Sequence, residues 1–262
     1  MKLAIKLPFI KKDSFGHLIP LKKLLISLIG SLTFPRLNWL NKTQVKGREI
    51  LENLPAKGVL FVSNHQTYFA DVITMLHIFC TVGSKITKNH RNPLYLLRPR
   101  SNVYFVAAEE TMKSGLIPRL FAYVGAIKVK RTWREAGKAI QREVDLKDIE
   151  NVGQALQDGW VITFPQGTTK AFAPGRKGTA HIIKEFKPVV VPVVINGFRR
   201  AFDKKGLFLK KTGVELSVTF KEPLFINYED SAENILAQVM DAIEQSERFQ
   251  FKFEDKIGLM GK

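Results

Sequence analysis

The stretch FVSNHQTYFAD, residues 61–71, leads an apolar run into Asn64 and His65 and ends on Asp71, six positions after the histidine. Imidazole titrates near neutrality, so it can take a proton from a hydroxyl at physiological pH. A carboxylate on its second nitrogen would fix the tautomer and stabilise the imidazolium that forms. The chemistry open to such a pair is general-base activation of an oxygen nucleophile. The plainer reading is that His65 belongs to a loop and Asp71 to a helix cap. Six positions on a continuous helix turn through about 600°, which would point the two side chains apart. They can meet only across a loop-to-helix turn.

Elements that could hold such a turn are visible along the chain. Apolar, β-branched runs bounded by Gly or polar residues read as strands at 58–63, 103–108, 126–130, 160–164, 189–195 and 214–220. Helical spacing of apolar residues places helices at 69–79, 118–125, 145–158 and 179–186, and after Ser231. The basic stretch 84–100 reads as an exposed loop or short helix. Strands alternating with helices predict an α/β fold: one domain, a mainly parallel sheet flanked by helices. In such sheets reactive groups gather on loops at strand C-terminal ends. Three polar stretches fit that place: NHQTYFAD, KRTW (130–133) and PQGTTK (165–170). His181 falls in a helix pattern, and His17, His77 and His90 have no evident partner.

The 262 residues include 41 Lys and Arg against 24 Asp and Glu, a formal charge of +17. That excess implies an anionic partner. Nucleic acid is a poor fit, because the basic residues are not interleaved with aromatics in a binding motif. The single cysteine, Cys80, excludes an internal disulfide and reads as a buried small hydrophobe. LLISLIGSLTF (24–34) is too short to span a bilayer, which takes about 20 apolar residues. It is bounded by Lys22 and Lys23 on one side and by Pro35 on the other. A short apolar helix with basic flanks suits the interface of an anionic membrane. The expected division is therefore a basic membrane-associating segment (1–44), a main domain (45–250) and a tail (251–262). The RRAFDKK cluster (199–205) reads as basic surface, with lipid head groups as a second possibility.

Taken in order, these motifs resemble those of the glycerolipid acyltransferases, which include the bacterial 1-acylglycerol-3-phosphate acyltransferases. NHQTYFAD is similar to their NHxxxxD motif through Asn64, His65 and Asp71, with one residue more in between. GAIKVKR, ending at Arg131, is similar to GxIxxxR. FPQGTTK (164–170) is similar to FPEGTRS, with Gln166 in place of the glutamate and Thr169 in place of the arginine. VVVPVVI (189–195) is similar to the family's VPV strand.

The resemblance implies an acyl transfer in which His65 is the base and Asp71 its orienting partner. The acceptor hydroxyl would attack a thioester directly, without a serine nucleophile. It implies that Asn64, Arg131, Gln166, Gly167, Thr168, Thr169 and Lys170 contact substrate. A phosphate on the acceptor would need a cation to replace the motif arginine, with Arg131 first and Lys170, Arg176 and Lys177 as alternatives. The implied partners are a lysolipid acceptor, most simply 1-acylglycerol 3-phosphate, and acyl-CoA or acyl carrier protein as donor. No cofactor and no metal is expected. The implied location is peripheral or monotopic, on the cytoplasmic face of the inner membrane. Two alternatives stay open: the same chemistry on another lysolipid, such as an amino-acid lipid, and a non-catalytic lipid-binding relative.

Overall fold

A computed structural model describes residues 11–113, 115–130, 134–135, 138–139 and 145–250. Arg131, residues 1–10 and the expected tail 251–262 lie outside the described residues. In chain order the elements are α1 (Ile19–Asn38), β1 (Lys42–Lys46), α2 (Arg48–Glu52), β2 (Val59–Ser63) and α3 (Ala70–Thr81). A 3₁₀ turn (Pro93–Leu97), β3 (Val103–Ala108), α4 (Glu109–Lys113), α5 (Leu116–Gly125) and β4 (Ala126–Val129) follow. Next come the short hairpin β5 (Arg134–Glu135) and β6 (Lys138–Ala139), then α6 (Leu146–Asp158) and β7 (Trp160–Thr163). The chain continues through α7 (Lys177–Phe186), β8 (Val189–Asn196), α8 (Phe198–Ala201), β9 (Glu215–Phe220) and α9 (Ala232–Ala242).

Seven strands form one sheet in the order β1-β9-β8-β2-β7-β3-β4. All neighbours pair in parallel except β8 with β9. Period-2 alternation on β2 divides the interior. Val59 and Phe61 face a core cluster that includes residues of α1, α3 and α5. Leu60 and Val62 face a second cluster that includes residues of α6, α7 and α9. A central parallel strand is covered on both faces, which is why VLFVS carries no polar residue before Ser63.

The strand at 42–46 was not expected. KTQVK lacks a run of apolar residues because it is an edge strand, paired in parallel only with β9. The sheet therefore begins inside the segment expected to be a membrane arm. That segment is also packed: Ile26, Phe34 and Leu37 of α1 are buried in the core cluster. Lys22, expected to flank a membrane helix as a free charge, is completely buried. Its ammonium bonds Asp13 at 2.9 Å and lies 4.2 Å over the Tyr104 ring. Burial lowers the Lys22 pKa, and Asp13 opposes that shift. Helix α1 also runs through Pro35 to Asn38. Proline in the last turn removes one hydrogen bond only, and Trp39 and Leu40 still donate to the Pro35 carbonyl at 3.0 and 2.8 Å. The stretch 84–100, expected to be exposed, buries Tyr95 and Leu96.

His77, whose partner was not evident in sequence, is held from both sides. Its Nδ1 lies 2.6 Å from the Tyr95 hydroxyl and its Nε2 2.9 Å from Thr33 Oγ1. His17 finds Asp13 at 3.4 Å and His90 finds the Thr43 carbonyl at 3.2 Å.

Candidate active site

Strand β2 ends at Ser63, and the chain crosses residues 64–69 before α3 starts at Ala70. Asp71 stands in the first turn of α3, where exposed N–H groups and the helix dipole favour a carboxylate. Its side chain reaches back into the loop instead of along the helix. Oδ2 accepts from the backbone N–H groups of Gln66 (2.6 Å) and Thr67 (3.0 Å), and Oδ1 accepts from the Thr67 hydroxyl (2.8 Å). Oδ2 also lies 2.9 Å from His65 Nδ1. Asp71 is fully buried, while the His65 side chain keeps 13% of its surface open. Oδ2 accepting from Nδ1–H leaves Nε2 as the nitrogen that can take a proton. The imidazole also stacks on Phe164, with centroids 3.8 Å apart and an 18° interplanar angle. The six-position spacing thus closes across the loop and the first turn of α3.

Asn64 and Gln66 brace that loop against the neighbouring strand. Asn64 exchanges two bonds with the Ile195 backbone, at 2.9 and 2.8 Å. Gln66 Nε2 donates to the Ile195 carbonyl at 3.2 Å, and its Oε1 accepts from Phe198 N at 3.0 Å. Asn64, expected to touch substrate, instead ties β2 to β8.

The FPQGTT loop follows β7, the other neighbour of β2. Gly167 N donates to the Phe164 carbonyl at 2.9 Å, closing a tight turn with Gly167 at φ 62°. That N–H is spent inside the turn, so it is not a free anion donor. Gln166, expected to border substrate, is buried and turned inward. Its Nε2 donates to the Ala173 carbonyl (2.9 Å) and to the Gln245 side-chain oxygen (3.2 Å). A glutamate there would present only acceptors to two acceptors. This gives the glutamine a structural reason: it anchors the loop to the chain after α9. Thr168 Oγ1 accepts from Lys170 N at 3.3 Å, and Lys170 is exposed.

His65 opens onto a groove of about 520 Å³, a size that suits a ligand. Its walls mix polar residues (Thr168, Arg176) with apolar ones (Met112, Val152, Ile182). The cations expected from sequence are not equally placed. Lys177 lines the groove but pairs with Glu233 of α9. Arg176 lines it too, with burial lowering its pKa. Lys130, one residue before Arg131, pairs with Asp145 at 3.2 Å. Lys130, the first residue of the KRTW stretch, lines the same groove as His65 and Thr168, and the rest of that stretch lies outside the described residues. Sequence reasoning missed Arg199. Its Nη2 donates to the His65 carbonyl at 3.3 Å and to the Thr169 carbonyl. The signal was its place in the turn after the VPV strand, but a run of basic residues reads more simply as surface. No group of acidic, His and Cys residues able to hold a metal occurs among the described residues.

A mainly parallel sheet with a His–carboxylate pair at its strand ends, opening on a mixed apolar groove, defines an α/β enzyme of acid–base chemistry. The chain belongs to the acyltransferase family: the family model described as Acyltransferase matches residues 42–196, more than half of it. It is an acyltransferase. The fold is similar to the crystal structure of the 1-acyl-sn-glycerophosphate (LPA) acyltransferase PlsC from Thermotoga maritima. The TM-score is 0.51 at 18% sequence identity, over 85% of this chain and 77% of that one. No curated protein matches the sequence.

Proposed function

We propose that this acyltransferase moves a fatty acyl group from a thioester, acyl-CoA or acyl carrier protein, to a hydroxyl of a lysophospholipid at a membrane surface. The preferred acceptor is 1-acylglycerol 3-phosphate. The observation that carries this reading is the buried Asp71 bonded to His65 Nδ1 at the mouth of the groove. In the proposed reaction His65 Nε2 takes the acceptor's hydroxyl proton as the oxygen attacks the thioester carbonyl. The tetrahedral intermediate then breaks its C–S bond, and the thiolate leaves with the proton from the imidazolium. Asp71 holds the ring and offsets its charge while the proton is on it. The apolar walls at Met112, Val152 and Ile182 suit an acyl chain.

Membrane docking is supported by the outward face of α1. Leu21, Leu24, Leu28 and Leu32 form one exposed stripe, with Leu32 73% exposed. No described helix is long and apolar enough to cross a membrane. A stripe of leucines beside basic residues suits peripheral or monotopic binding to the anionic cytoplasmic leaflet. Thr169 in place of an arginine favours a second reading, the same transfer to a phosphate-free or amino-acid lysolipid. Labelled acyl donor offered with a panel of lysolipids tests both. Labelled diacyl product from 1-acylglycerol 3-phosphate supports the first, and product from the phosphate-free acceptors alone supports the second. No acylated lipid from any acceptor overturns both.

A further inference from the structure

If the acceptor carries a phosphate, a cation must stand near His65. In 1-acylglycerol 3-phosphate the reacting hydroxyl and the phosphate sit on adjacent carbons. A hydroxyl at His65 Nε2 therefore places the phosphate within reach of a side chain beside His65. Lys177 and Lys130 are already paired with carboxylates. Arg199 is differently placed. It follows β8, which pairs with β2 in the sheet, so its turn abuts the His65 loop. Its backbone is pinned there: Phe198 N and Arg199 N donate to Gln66 Oε1 at 3.0 and 3.4 Å. Gly197, at φ 93°, lets the chain turn directly after the strand. The guanidinium then bridges the carbonyls of His65 and Thr169, the position where the motif's arginine is missing. Both contacts use Nη2, and Nε and Nη1 carry three further N–H donors. Burial lowers the Arg199 pKa, and nearby Asp71 opposes that shift.

We propose that Arg199 is the cation that holds the acceptor's phosphate, taking the place left by Thr169 and clamping the His65 and Thr169 loops together. This rests on the acyl-transfer reading above. A fork of N–H donors to a phosphate is charge-assisted and directional, which a lysine at this position would match only in charge. The test is acceptor kinetics at saturating acyl donor, with 1-acylglycerol 3-phosphate and with phosphate-free monoacylglycerol. Wild type, Arg199→Ala, Arg199→Lys, Arg176→Ala and the double variant Arg199→Ala/Thr169→Arg are compared. Arg199→Ala should raise KM for the phosphate-bearing acceptor about ten- to hundredfold, well beyond whatever loss it causes with monoacylglycerol through the loosened loops. Arg199→Lys should fall between, and Thr169→Arg should restore part of the loss. An equal loss on both acceptors would show that Arg199 only braces the loops. A selective loss in Arg176→Ala and none in Arg199→Ala would place the phosphate elsewhere. A wild type that acylates monoacylglycerol but not the phosphate-bearing lipid overturns this assignment and leaves acyl transfer standing. A wild type that acylates neither removes the acyl-transfer reading itself, and this assignment with it.

Discussion

Asp71 accepts four hydrogen bonds from one loop, and only one of them comes from His65. The carboxylate therefore builds the loop as well as orienting the base. Asp71→Asn can keep an oxygen at the Oδ2 position for the Gln66 and Thr67 N–H groups and for His65 Nδ1–H, but it removes the negative charge that stabilises the imidazolium. Turnover should fall about 10²- to 10⁴-fold with little change in KM, measured by steady-state acylation. His77 offers a separate check at this scale. Burial and the nearby His90 depress its pKa from the usual 6.5 to about 4, so the native state leaves it neutral. Between those two values the unfolded chain binds a proton that the native chain does not, so stability falls as pH falls. The loss should reach about 3 kcal/mol by pH 4, and urea unfolding of His77→Gln should lack that component. The His–Asp pair was legible because the chemistry names its own residue types. The inward turn of Gln166 was not, since its partners at Ala173 and Gln245 are set by packing that no local pattern encodes.

Central strands were legible as apolar runs, whereas β1 was hidden by its polar edge position, and α1 continued past a proline that ordinarily ends a helix. The turn from β8 into α8 was equally obscure, yet it carries Arg199. Gly197 is its critical position. A Cβ there would lie 2.1 Å from the Glu215 carbonyl oxygen, and φ is 93°. Gly197→Ala should cost at least about 1–2 kcal/mol from the backbone conformation alone, read by urea denaturation. Because the turn sets Arg199, acylation should fall in the fraction of enzyme that remains folded.

At the scale of the whole molecule, α1 serves two surfaces at once. Its inner stripe joins the core at Ile26, Phe34 and Leu37, and its outer stripe exposes leucines. Sequence showed the helix as apolar without showing that half of it is spent inside. Deleting residues 1–40 should therefore destabilise the α/β body by more than about 3 kcal/mol, because buried apolar contacts are lost. The paired change Leu28→Glu and Leu32→Glu should leave the melting temperature unchanged and release the protein from anionic vesicles in a sedimentation assay. The charge of +17 should make wild-type binding weaken as salt rises, since the Debye length is about 8 Å at physiological ionic strength and shorter above it.

The central claim is that His65 is the base of an acyl transfer. Its most direct test is single-turnover transfer from a labelled acyl thioester to 1-acylglycerol 3-phosphate, comparing wild type with His65→Ala at matched thermal stability. The predicted result is a rate at least about 10²-fold lower in the variant, with donor binding unchanged. Transfer by His65→Ala at the wild-type rate would contradict the account.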